Sequence, residues 1–111
     1  MRYALLVYND PAKLSTLDDS ERAVMQADYA AIDGLRGVIS RLRLKEIETA
    51  TTVRLEDTKT IVTDGPFADT KEVFGGLFLI EADNLNGALE IAAKIPAARL
   101  GGCVEIRPVF E

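Results

Sequence analysis

Val73-Phe74-Gly75-Gly76-Leu77-Phe78-Leu79-Ile80-Glu81-Ala82 reads as the longest strand of the chain, and its two faces decide the fold. Alternation sets Val73, Gly75, Leu77 and Leu79 on one side and Phe74, Gly76, Phe78 and Ile80 on the other. Neither side is polar, so both are expected to be covered. Downstream, Asp83 or Asn84 caps a helix whose buried stripe is Leu85, Ala88, Leu89, Ala92 and Ile95, and Pro96 stops it. Gly101-Gly102 then lead into a last strand from Cys103 to Val109. There Val104 and Ile106 alternate with Glu105 and Arg107, and Pro108 argues for a sheet edge.

The same logic holds upstream. Arg2 to Tyr8 is a strand with Tyr3, Leu5 and Val7 on one face and Ala4, Leu6 and Tyr8 on the other, closed by Asn9-Asp10-Pro11. A helix begins near Asp18, where Asp18 with Glu21 three residues on forms a variant capping box. Its core stripe is read as Val24, Ala27, Ala31, Ile32 and Leu35, bordered by Met25 and Tyr29, with Gly37 closing it. A strand follows from Val38 to about Leu44. Thr51–Leu55 and Thr60–Thr63 are β-branched runs around the polar turn Glu56-Asp57-Thr58-Lys59, which is a hairpin signature. The order β-α-β, hairpin, β-α-β predicts an α+β, ferredoxin-like fold with one antiparallel sheet in a single domain, 1–111. Both helices are expected on one face. The other face then carries apolar residues into water, and a symmetric dimer is the expected cover.

Composition narrows the function. Eighteen acidic residues against 13 basic ones give a net charge of −5, which repels a phosphate backbone, so no nucleic acid is expected as a partner. Gly34-Leu35-Arg36-Gly37 matches the clamp loop of a KH domain, but a helix exit explains it better. The chain has no His and one Cys, which removes Ser-His-Asp and Cys-His catalysis and predicts neither a metal site nor a disulfide. No cofactor fingerprint is present, so no cofactor is expected. Neither a membrane span nor a signal-peptide pattern is visible, and a cytoplasmic protein is expected.

Between hairpin and long strand lies Thr63-Asp64-Gly65-Pro66-Phe67-Ala68-Asp69-Thr70-Lys71-Glu72, a forced bend followed by an aromatic and clustered charges. It closely resembles the signature of the YCII-related family, in the branch named for Asp-Gly-Pro-Phe, here Asp64 to Phe67. Leu6-Val7-Tyr8 with Asp10-Pro11, Ala50 to Arg54, Ile95 to Arg99 and Val104 to Val109 extend the resemblance over nearly the whole chain. The resemblance implies a ferredoxin-like fold, a dimer of facing sheets and a cleft near the interface. It implies no known reaction, and the His–Asp pair suspected of catalysis in relatives has no counterpart here. Genes of the branch often lie beside those for extracytoplasmic-function sigma factors, which implies a regulatory link. One departure is Arg41-Leu42-Arg43-Leu44-Lys45-Glu46-Ile47-Glu48, where relatives tend to carry Gly-Glu and a proline-rich turn. Its cations Arg41, Arg43 and Lys45 form either an anion-binding edge or a charged edge guard.

The candidate site follows from the central loop. Asp64 and Glu72, with Lys71 nearby, are expected to line a small-molecule pocket beside Tyr8 and Arg54, with Asp64, Glu72 and Tyr8 as the candidates for acid–base work. Phe67 either joins that pocket or plugs the core or a dimer partner. Asp64 instead bonds the amides of its own loop in the structural alternative. Asp69 is a further carboxylate, but Asp64, Asp69 and Glu72 match no known cation loop. Cys103 is expected to be a small buried filler. Two readings remain: a dimeric module that binds a small molecule or a partner, and a small enzyme using carboxylate and Tyr chemistry.

Overall fold

The computed structural model describes residues 1–111, with six strands and three α-helices. They are β1 (Arg2–Asn9), α1 (Pro11–Leu14), α2 (Asp19–Asp33), β2 (Val38–Arg43), β3 (Thr51–Glu56), β4 (Lys59–Asp64), β5 (Val73–Glu81), α3 (Leu85–Ala92) and β6 (Cys103–Pro108). The architecture is α+β with antiparallel pairing throughout, and the main sheet runs β2-β5-β1-β6. The two strands with apolar residues on both faces, β1 and β5, form the central pair. β6, which ends in Pro108, lies at the edge. No helix is long and apolar enough to cross a membrane.

The core lies between one sheet face and the helices. Tyr3, Leu5 and Val7 of β1 and Phe78 and Ile80 of β5 meet Ile32 of α2, Ala88 and Ala92 of α3, and Ile95 and Ala97 beyond it. Asp18 and Glu21 make the reciprocal capping box, and Asn84 caps α3 through the Gly87 amide.

Several expectations are corrected. There are two sheets rather than one: β3 and β4 pair only with each other, in register from Thr51↔Asp64 to Glu56↔Lys59. The hairpin is an insertion between the two βαβ halves, so the main sheet satisfies its central strands without it. Asp10 does more than end a strand. It is buried and accepts from the Ala12 and Lys13 amides, capping the short α1 with Pro11 at its first position. Helix α2 is rolled from the expected stripe, with Val24 54% exposed and Ala27 and Ala31 also exposed. Its packed side runs through Met25, Tyr29, Ile32 and Leu35, because the Tyr29 ring stacks on Phe78 at 6.4 Å and 4°. In α3, Leu85 and Leu89 are exposed while Ala88 and Ala92 are buried, since small residues let that helix sit close to the sheet.

A further correction concerns Phe74. The β1–β5 register slips between Val7 and Tyr8, pairing Val7 with Gly76 but Tyr8 with Phe74. The bulge moves Phe74 across the sheet to the side of Tyr8, and their rings lie 5.5 Å apart. The open face, away from the helices, therefore carries Ala4, Leu6 and Tyr8 from β1, Phe74, Leu77 and Leu79 from β5, and Leu42 from β2.

Arg41 is neither an anion site nor a simple edge guard. It faces the helices, bonds Asp33 at 3.0 Å, and lies over the rings of Tyr29 and Phe78 at 5.1 and 5.6 Å. One side chain thus ties β2 to α2 through charge and ring faces together. Burial raises the Tyr29 phenol above its ordinary pKa, and the nearby guanidinium of Arg41 opposes that.

Candidate functional site

The open face has one end where chemistry collects. Strand alternation brings Tyr8, Cys103 and Glu105 to the same side, since Tyr8 pairs with Cys103 and Leu6 with Glu105. The chain leading into β5 passes over this end and adds Thr70, Lys71 and Glu72. Together the six line an open cleft of about 480 Å³. The Thr70 hydroxyl donates to the Glu72 carbonyl at 2.6 Å, which fixes the backbone at the rim.

The Cys103 thiol is the centre of this group. Its sulfur stands 3.9 Å from Glu72 Oε2, as a long donor to the carboxylate. Loss of hydration against the sheet raises its pKa first, and the negative charges of Glu72 and Glu105 raise it further. A raised thiol pKa lowers the thiolate fraction and with it the reactivity toward electrophiles. Alkylation of Cys103 by iodoacetamide should therefore reach half-maximal rate at higher pH than a free cysteine. Glu72→Gln should shift the profile back toward lower pH, and a profile unmoved by that change would dissociate Glu72 from the thiol.

Of the residues expected from sequence, Tyr8, Lys71 and Glu72 come together here. Asp64, Phe67 and Arg54 do not line the cleft. Arg54 lies on the detached hairpin. Phe67 is 79% exposed, so it does not plug the core of its own chain. Asp64 holds none of its loop's amides. The turn is closed instead by the Gly65 amide donating to the Ala50 carbonyl at 2.7 Å, and by the Thr52 hydroxyl donating to the Gly65 carbonyl at 2.8 Å. Asp64→Ala should therefore change stability by less than about 0.5 kcal/mol, as for an unattached surface residue. Thr52→Val should cost about 1 kcal/mol, the worth of one hydrogen bond. Chemical denaturation of the two variants checks the pair.

Cys103, Glu105 and Thr70 were not expected at the site. Cys103 is exposed rather than a buried filler. A signal for two of them was present: Cys103 and Glu105 are two apart on one strand and must share a face. What was missing was which face the helices take. Asp69 does not join Glu72 in the cleft, and no group of three or more His, Cys, Asp or Glu side chains is placed to hold a metal ion.

Comparison with known proteins bears on the family. An uncharacterized protein of Rhizobium meliloti (strain 1021) is 35% identical over 116 aligned residues, spanning 98% of this chain and 92% of that protein. The family model of the YCII-related domain matches residues 1–111. With its whole length accounted for by that model, this chain belongs to the YCII-related family.

Proposed function

We propose that the chain is a cytoplasmic, dimeric binding module for a small polar molecule with a cationic or strongly hydrogen-bond-donating group. The observation that carries this reading is the cleft at the end of the open face. Two carboxylates, Glu72 and Glu105, flank it with a single cation, Lys71, and a phenol at Tyr8. Neither Glu72 nor Lys71 is engaged in an ion pair, so both charges can meet a ligand, with only the long Cys103 contact on Glu72. The aromatic pair Tyr8–Phe74 supplies an apolar wall beside these charges. Binding is favoured over thiol chemistry because the carboxylates of Glu72 and Glu105 beside Cys103 disfavour its thiolate. The alternative is a small enzyme in which Glu72 and Tyr8 exchange a proton with the substrate. Dimerisation is supported by the open sheet face, where Leu42 is 57% and Phe74 40% exposed.

Titration calorimetry with small amines, zwitterions and carboxylates tests the ligand class. Amines or zwitterions should bind, and Glu72→Gln should weaken them about tenfold, the loss of about 1.4 kcal/mol. Its thermal unfolding should stay unchanged, because Glu72 is exposed. Preference for simple carboxylates, or an affinity indifferent to Glu72→Gln, would overturn the assignment. Turnover of a bound compound would move the reading to the enzyme.

A further inference from the structure

Lys71 and Glu72 are neighbours in sequence, and in an extended chain neighbours point to opposite sides. Here both line the cleft. The chain bends at these two residues, just before β5 begins at Val73, and the bond from the Thr70 hydroxyl to the Glu72 carbonyl spans the bend. Their charges do not cancel, since no ion pair joins them to each other or to any other residue. Glu72 carries only the long contact from the Cys103 sulfur at 3.9 Å. Glu105 differs. Arg107, two residues along β6, sets its guanidinium 3.4 Å from the Glu105 carboxylate. That exposed pair adds little to stability, but it screens the second carboxylate of the cleft. What remains is one unmatched cation beside one unmatched anion, in a region whose charges sum to zero once Arg107 is counted.

The geometry points to an α-amino acid with a bulky apolar side chain as the ligand of this cleft, its ammonium on Glu72 and its carboxylate on Lys71. This rests on the binding reading above and narrows it to one class. A simple amine satisfies Glu72 but brings a second cation near Lys71. A simple carboxylate satisfies Lys71 but meets the charge of Glu72. A zwitterion answers both and leaves the region neutral. A diamine fits worse, because its second cation would find Glu105 already held by Arg107. The apolar part of the ligand has its own surface. The Tyr8 and Phe74 rings stand 5.5 Å apart with their planes tilted by 54°. Next along the same face, Leu6 stands opposite Leu77 on one side and Glu105 on the other, so hydrocarbon begins where the charged groups end. The cleft of about 480 Å³ falls toward the lower end of the roughly 300–1,000 Å³ of ligand pockets, which suits a metabolite of amino-acid size.

Nuclear magnetic resonance titrations of the full chain with phenylalanine, phenethylamine and 3-phenylpropionate test this, because the second and third probes each lack one charge of the first. Phenylalanine should bind at least about tenfold more tightly than either, the scale of one charge-assisted hydrogen bond at a solvated site. Its shifts should centre on the amides of 70–72 and 103–105. Lys71→Met should weaken phenylalanine about tenfold and leave phenethylamine within about threefold, whereas Glu72→Gln should weaken both. Both side chains are exposed, so thermal unfolding of the two variants should match the wild type. Phenethylamine binding as tightly as phenylalanine, with Lys71→Met without effect, would overturn the amino acid and leave the cationic ligand standing. So would phenylalanine shifts centred away from the cleft, or no phenylalanine binding up to about 10 mM, a level that would fill a millimolar site. 3-Phenylpropionate binding best, or affinities indifferent to Glu72→Gln, would overturn both readings together.

Discussion

Gly76→Ala is expected to destabilise the protein by about 3 kcal/mol, the combined effect of a disallowed backbone region and a clash against main chain. Gly76 sits at the β1–β5 bulge with φ of 153°. A Cβ there would meet the Leu42 carbonyl oxygen well inside van der Waals contact, with the Leu42 carbonyl carbon and the Arg43 Cα at 3.2 Å. These are strand backbone atoms, paired through the Leu42↔Leu77 and Arg43↔Gly76 register, and cannot swing aside as a side-chain tip could. The variant should also lose ligand affinity, since the same bulge carries Phe74 to Tyr8 at the cleft. Urea denaturation followed by calorimetry at low temperature reads both. A stable Gly76→Ala protein would mean that the bulge relaxes into regular pairing, which would return Phe74 to the helix side.

That bulge also marks where sequence reading ends. The apolar residues on both faces of 2–8 and 73–82 marked two strands of the core, and the structure sets them side by side as the central pair β1 and β5. The Asp18–Glu21 box and the polar turn at 56–59 were legible because their chemistry is local. Gly75-Gly76 was not, since two glycines permit regular alternation and a bulge equally well, and the choice is made by β2 and β1 pressing from either side. The roll of α2 was hidden for a related reason. Val24–Ala27–Ala31 and Met25–Tyr29–Ile32 are both acceptable helical stripes, and the larger Tyr29 ring decides by finding Phe78. Asp10-Pro11 could have been read further, because an Asp followed by Pro is a helix start as much as a strand stop. At the site, Glu72, Lys71 and Tyr8 were legible from the loop and the strand end. Cys103 and Glu105 were not, because β6 reaches the cleft only through its antiparallel pairing with β1.

The choice of face makes a second large effect separable from the site. Phe78→Ala is expected to cost about 4 kcal/mol, within the range for removing a buried aromatic and leaving a cavity, and to lower the unfolding temperature by more than about 10 °C. Phe78 is 2% exposed, stacks on Tyr29 and lies beneath the Arg41 guanidinium. Its loss removes the ring that sets the roll of α2 and one of the two surfaces holding Arg41 over the helix–sheet joint. Yet Phe78 points to the helices, while Tyr8, Glu72 and Cys103 lie on or above the opposite face of the same sheet. At low temperature, where the variant is still folded, it should bind the same amines with affinity within about threefold of the wild type, a difference below 1 kcal/mol. The contrast with Gly76→Ala is the useful part. Both substitutions fall on β5, two residues apart and on the helix side, but only the bulge residue governs where an open-face side chain stands. If Phe78→Ala lost binding as completely as Gly76→Ala while remaining folded, the cleft would depend on the packing of α2 rather than on the sheet alone.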